Sequence, residues 1–273
     1  MKDSAGRTIR VLRMGRSTRE RLNGAPREAG EVHSAYARTL NLLWHDGRLL
    51  TLHGPGPLLA PFAAAVDHLP GELGPGMRAW REGEKIRLGP FLLGWEQGAA
   101  VETRLRPEGD GARLLLAALA SRPAPPAAAG LFSPEGRTAQ RRLDHGIRER
   151  DARAFVEGAA GLIGLGEGLT PAGDDCLVGA LAVLSRFAPA WLAEQPVIRT
   201  AITAGSEVRT TTVAREFLLH ALDGLFSEPV VHLMQARSAA QAVERIEDLG
   251  RMGASSGADT LWGMRLAMEA LFQ

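Results

Sequence analysis

The sequence predicts an α+β protein: a β-rich N-terminal domain, either a small barrel or a sandwich, followed by an all-helical C-terminal domain. Three observations carry that reading. Up to about Pro107, short runs alternate apolar and polar residues between glycine turns, the two-residue period of half-buried strands. From Arg137 onward, apolar positions recur at helical spacing. Between the two, Arg122 to Gly136 (RPAPPAAAGLFSPEG) has the composition of a linker. The expected domains are therefore residues 1–121 and 137–273.

The N-terminal elements follow in order. Residues 1–30 carry Lys2, Arg7, Arg10, Arg13, Arg16, Arg19, Arg21 and Arg27, a solvated strand or helix face in preference to a nucleic-acid arm, because acidic residues elsewhere balance them. In residues 31–44, Val32, Ser34, Tyr36, Arg38, Leu40 and Leu42 share one side of an extended chain, and His33, Thr39 and Asn41 the other. His45-Asp46-Gly47-Arg48 reads as a hairpin turn, with Arg48 to His53 returning. A short apolar helix is expected from Leu58 to Leu69. Gly83 to Leu88, Phe91 to Trp95 and Ala100 to Leu105 read as short strands, whose even spacing suggests a barrel or sandwich. Gly111 to Ser121 reads as helical.

In the second half, Arg137 to Leu162 is one long amphipathic stretch. A helix is expected from Pro171 to about Phe187, and one or two short helices in Ala188 to Thr203. Thr210 to Leu222, Glu228 to Gln235, Ala239 to Leu249 and Gly257 to Phe272 complete the set.

Composition narrows the function. With 45% hydrophobic and 23% charged residues, the chain has the make-up of a soluble globular protein. Its 32 basic and 31 acidic residues leave a net charge of +1, which gives no bulk electrostatic case for nucleic-acid or membrane partners. The single cysteine, Cys176, rules out an intramolecular disulfide and suits a reducing cytoplasm, the expected location. No apolar run is long enough to span a bilayer, and the arginine-rich N-terminus does not resemble a secretory signal.

The chemistry centres on Gly161 to Phe187, GLIGLGEGLTPAGDDCLVGALAVLSRF. Thr170 has the chemistry of an N-cap, and Pro171 suits the first helical position. Gly164, Gly166 and Gly168 let the preceding loop approach a ligand closely. A glycine loop feeding a helix N-terminus offers N–H groups and a positive dipole end to a phosphate or carboxylate. The plainer reading makes the glycines a turn and places Asp174 and Asp175 near the dipole.

A second stretch matches the first in register. Gly257-Ala258-Asp259-Thr260-Leu261-Trp262-Gly263 aligns on Gly173-Asp174-Asp175-Cys176-Leu177-Val178-Gly179. Ser256 and Asp259 have capping-box spacing. Asp175, Gly179 and Ala182 form a small-residue face, as do Asp259, Gly263 and Ala267, so the two helices are expected to pack and aim their aspartates at one site. Arg209 with Thr210, Thr211 and Thr212 is a third hydroxyl-rich helix start, which would add an arginine to an anion site. His33 and Arg38 are candidates from the other domain. Asp174, Asp175 and Asp259 are candidate ligands for Mg²⁺ with a phosphate substrate, although the seven histidines show no metal-ligand spacing. Cys176, among apolar residues, reads as core.

Three runs carry a resemblance: G-L-G-x-G-L-T-P-x-G-D-D at Gly164 to Asp175, S-S-G-x-D-T-L-x-G at Ser255 to Gly263, and G-x-V-x-S-x-[FY]-x-R-x-x-N-L at Gly30 to Leu42. From about residue 30 to 273 the chain resembles the AllH-like family, one group of which is a subunit of oxamate carbamoyltransferase in anaerobic allantoin breakdown. The chain departs from the pattern at Ala254, where the family run has His. The resemblance implies reversible transfer of a carbamoyl group between phosphate and oxamate, both anionic, with an acyl-CoA-synthetase-like subunit and a third subunit as partners. In that scheme the glycine loop (Gly166, Gly168, Thr170, Gly173, Asp174) and Ser255-Ser256-Gly257 bind anion oxygens, and Asp175 or Asp259 orients an amide N–H₂ or acts as base. The alternatives are a non-catalytic binding or assembly subunit and a metal-dependent phosphohydrolase.

Overall fold

A computed structural model describes residues 7–24, 28–56, 59–107, 111–121 and 129–273. The chain forms two compact units, Met1–Thr103 and Arg104–Gln273.

The first unit is a barrel. Its elements are β1 (Arg7–Gly15), α1 (Arg16–Gly24), β2 (Glu28–Tyr36), β3 (Thr39–Trp44), β4 (Leu49–His53), β5 (Ala63–Val66), β6 (Arg78–Glu82), β7 (Lys85–Leu88), β8 (Phe91–Gly94) and β9 (Ala99–Val101). The strands run β5-β4-β3-β2-β6-β7-β8-β1, and β1 pairs back onto β5, so eight strands close. β9 adds to β1 in parallel beyond β8. Closure removes free edges and encloses a core that includes Ile9, Leu42, Trp44, Leu50, Ile86, Leu93 and Trp95.

Three local expectations change. The extended run from residue 31 to 44 turns back on itself at Ala37-Arg38, with Tyr36 opposite Thr39. An irregularity between Val32 and Ser34 shifts the alternation by one residue, so Ser34 and Asn41, expected on opposite faces, are opposite each other. Asn41 donates to Ser34 Oγ at 2.9 Å and accepts from Thr51 Oγ1 at 2.7 Å. Where a short helix was expected, Ala63–Val66 is a fully buried strand pairing with both β4 and β1; Leu58 lies outside the described residues. Its alanines fit the closed seam, and their helical propensity yields to that tertiary pairing. The N-terminal arginines lie along β1 and α1, where Arg7 meets Glu72 at 2.6 Å and Arg10 meets Asp67 at 3.1 Å; Lys2 and Arg27 lie outside the described residues.

The second unit is helical: α2 (Ala112–Ala120), a 3-10 turn (Ala129–Phe132), α3 (Pro134–Arg148), α4 (Ala152–Leu162), α5 (Ala172–Phe187), α6 (Pro189–Glu194), α7 (Pro196–Arg209), α8 (Thr212–Leu222), α9 (Glu228–Met234), α10 (Ala239–Gly250) and α11 (Ser256–Phe272). The division falls between Thr103 and Arg104, upstream of the expected 122–136 boundary, because α2 packs on α10 and α11 and Leu105 N donates to Gly224 O at 2.9 Å. Residues 122–128 of the expected linker lie outside the described residues. The expected single stretch 137–162 is two helices, broken at Arg150, whose φ of 56° is left-handed. Asp151 then caps α4, accepting from Arg153 N and Ala154 N. α5 is buried along nearly its whole length and is the axis of this unit. No described helix is long and apolar enough to cross a membrane.

Candidate functional site

The expected packing of the two matched helices is present: α5 and α11 share the most extensive interface of any two elements. The contact is reciprocal. A Cβ on Gly179 would lie 2.0 Å from Thr260 O, and a Cβ on Gly263 would lie 1.8 Å from Cys176 O. Thr260 and Cys176 occupy the same position in the sequence match, so each helix rests its glycine on the other's equivalent carbonyl. The helix starts repeat too. A Cβ on Gly173 would meet Leu162 O at 2.0 Å, and one on Gly257 would meet Leu249 O at 1.8 Å, each the last turn of the preceding helix.

The adjacent aspartates have separate surroundings. Asp174 accepts from Gly164 N at 3.1 and 3.3 Å and from Thr210 Oγ1 at 2.7 Å. Burial raises its pKa to about 6, against the lowering pull of Thr210, Gly164 and Arg209. Gly164 has a φ of 76°, and a Cβ there would lie 1.9 Å from Arg209 O, so only glycine fits. The expected phosphate cradle is thus a loop folded onto Asp174 and the end of α7. Arg209 gives its guanidinium to Ala160 O, and Thr211 caps α8 and donates to Leu169 O. Gly173 N donates to Leu165 O at 2.8 Å and Gly257 N to Met252 O at 3.0 Å, so both of these amides are used within the protein.

Asp175 faces a cavity of about 180 Å³. Thr170, Ser256, Thr260 and Ser227 line it with hydroxyls, and Phe217, Phe226, Val230 and Met252 are among its apolar walls. None of its lining residues is basic. Asp175 is 7% exposed, and its Oδ2 is buried without a hydrogen-bond partner. Burial pushes its pKa well above the carboxylate range, Ser256 and Thr170 pull it down, and the charges of Asp259 and Asp174 add to the rise.

Thr170 Oγ1 and Ser256 Oγ lie 2.7 Å apart, and both hydrogen-bond Asp175. Oδ2 takes no part in these contacts. This arrangement explains two departures from expectation. Thr170 does not cap α5; Pro171 takes that position, its carbonyl accepting from Asp174 N and Asp175 N. Ser256 and Asp259 form no capping box, because Ser255 is the N-cap residue and the Ser256 hydroxyl turns to Thr170.

Asp259 is fully buried and does not line the cavity. Among the described residues no group of three or more His, Cys, Asp or Glu could hold a metal ion. Cys176 is fully buried, and burial pushes its thiol pKa up, with Asp259 and Asp175 adding to the rise. Gly166 and Gly168 have φ of 116° and 93° and shape the loop without lining the cavity. Ser255 is half-buried at the start of α11, also off the cavity wall. In the barrel unit, His33 is exposed on β2 with Nδ1 3.2 Å from Ser34 Oγ, and Arg38 is exposed in the turn. The apolar walls from α8 and the segment leading into α9 were not anticipated; only their place in the fold makes them part of a site.

A family model described as oxamate carbamoyltransferase subunit AllH matches residues 162–268. A second, described as AllH family N-terminal domain, matches residues 10–104. Together they cover most of the chain, and the first takes in α5, the loops before both matched helices and most of α11. No solved structure matches.

Proposed function

Because the chain belongs to the AllH family, we propose that it is a subunit of a carbamoyltransferase whose helical unit takes a small amide-bearing substrate between α5 and α11. One observation carries the placement: Asp175 lines a cavity beside hydroxyls of Thr170 and Ser256, and its Oδ2 is buried without a hydrogen-bond partner. Buried polar groups are rarely left unsatisfied, and such an atom is matched by a ligand N–H. A carbamoyl group presents two. In the proposed transfer, the carbamoyl carbon exchanges its bond to a phosphate oxygen for one to the nitrogen of oxamate, which gives up a proton.

In this reading Asp175 orients the amide, and Thr170 and Ser256 hold its carboxyl in one rotamer. Asp259 and Asp174 are positioning residues. The charge of Asp259 adds to the rise in the Asp175 pKa, and Asp174 ties Gly164 and Thr210 together. An acyl-CoA-synthetase-like subunit and a third subunit are the partners this reading needs. The proposed setting is allantoin degradation in the cytoplasm, where a lone thiol is at home.

One observation favours a second reading, a non-catalytic assembly subunit: the glycine loop and Asp174 are used up in packing. The test is carbamoyl transfer by the assembled enzyme carrying Asp175→Ala or Asp175→Asn. Loss of a charge-assisted or buried hydrogen bond of about 1.5–3 kcal/mol should lower kcat/KM by about 10- to 150-fold with assembly unchanged. Transfer at the wild-type rate would leave the assembly reading standing.

A further inference from the structure

We infer that the Ser227 hydroxyl is a substrate-binding group of the cavity: it donates a hydrogen bond to the carbonyl oxygen of the carbamoyl group held at Asp175. This rests on the proposed site and adds the residue that meets the other polar end of that group.

The four hydroxyls on the cavity wall are not equivalent. Thr260 Oγ1 donates to Ser256 O at 2.8 Å. Thr170 Oγ1 and Ser256 Oγ lie 2.7 Å apart, and both bond Asp175. Ser227 has none of these ties. It is 6% exposed and lines the cavity from the segment between α8 and α9. Its backbone has the extended angles of an N-cap, φ −62° and ψ 149°, yet its side chain makes no cap bond to α9. One of the two amides a cap could meet is missing, because Pro229 stands at the second helical position and has no N–H. A hydroxyl this deeply buried is ordinarily satisfied, and the cavity is the space it lines.

The proposed chemistry asks for such a donor. As the oxamate nitrogen attacks, the carbamoyl carbonyl oxygen gains negative charge, and a donor fixed beforehand stabilises it. None of the lining residues is basic. With Asp175 turned to the N–H₂, the hydroxyls are left to meet that charge, and Ser227 is the one not engaged within the wall. Size keeps the two ends together. At about 30 Å³ per water-sized atom, a cavity of 180 Å³ holds about six non-hydrogen atoms. A carbamoyl group seated against Asp175 therefore has little room to stand clear of the wall that Ser227 shares with Phe226 and Val230.

The test is steady-state carbamoyl transfer by the assembled enzyme carrying Ser227→Ala, Ser227→Thr or Asp175→Ala, with a thermal melt of each chain. Ser227→Ala should lower kcat about 100-fold and change KM by less than about threefold, because the donated bond strengthens as the oxygen gains charge. Ser227→Thr keeps the hydroxyl and should recover about tenfold or more of that loss. The Tm of Ser227→Ala should stay within about 2 °C of wild type, since no cap bond is lost. Transfer by Ser227→Ala at the wild-type rate would overturn the inference. So would a loss that Ser227→Thr does not recover, or one that comes with a lower Tm, the mark of a structural role. The outcome is separable from the site reading. Normal transfer by Ser227→Ala beside a loss in Asp175→Ala removes only the role of Ser227, whereas normal transfer by both removes the site.

Discussion

Asp174 is a carboxyl that the fold holds for its hydrogen bonds at the expense of its charge. Its pKa of about 6 lies above the ordinary 3.8, so the folded chain keeps a proton that the unfolded chain releases. The favourable contribution is complete below pH 3.8 and is lost as pH rises through 6. At about 1.4 kcal/mol per unit, the loss is about 3 kcal/mol. Asp174→Asn removes the charge while its carbonyl can still accept from Gly164 N, and the Thr210 hydroxyl can turn to accept from the new amide. Urea unfolding from pH 4 to 7 should therefore show a shallower fall for Asp174→Asn than for wild type. Parallel curves would show that Asp174 is not the group responsible. The aspartate pair was legible in the sequence, but its division of labour was not. Which carboxyl ties a loop and which faces a cavity depends on Gly164, Thr210 and Ser256, which come from distant segments.

Between α5 and α11, the small-residue face seen in the sequence has its full consequence. Each glycine stands where a methyl group would fall within about 2 Å of a carbonyl oxygen. Gly179→Ala or Gly263→Ala should each force the helices apart and destabilise by about 3 kcal/mol or more. The double variant should cost less than the sum, because the first substitution has already opened the crossing. Denaturant unfolding of the three variants gives both quantities; strict additivity would mean that the two contacts relax independently. The helices themselves were legible because periodicity and small-residue spacing are local. β5 was misread for the converse reason: four apolar residues carry no period, and only pairing with β4 and β1 makes them a strand. The break at Arg150 was hidden in a continuous amphipathic pattern and rests on one left-handed residue followed by the Asp151 cap.

The whole chain divides where Thr103 meets Arg104, and α2 belongs to the helical unit although its sequence precedes the proline-rich run. A fragment beginning at Arg104 should fold, whereas one beginning at Ala129 loses α2 with buried Leu115, Ala118 and Leu119. Removing those side chains should destabilise by about 3 kcal/mol or more, read as a lower Tm in thermal melts. Equal melting of the two fragments would place α2 outside the helical unit. The broad plan, strands then helices, was legible from the change of period; the seam was not, because linker composition marks a break in regular structure and says nothing of which side a helix packs on. Within the helical unit, the reciprocal glycine crossing relates α5 to α11 by a local pseudo-twofold, and the surroundings break it. Val178 lines the cavity, whereas its counterpart Trp262 donates to Gln140 at 2.7 Å and meets the Phe132 ring edge-on at 5.2 Å. Two like helices thus hold two like carboxyls, and the loss of symmetry around them puts Asp175, and not Asp259, on the wall of this cavity.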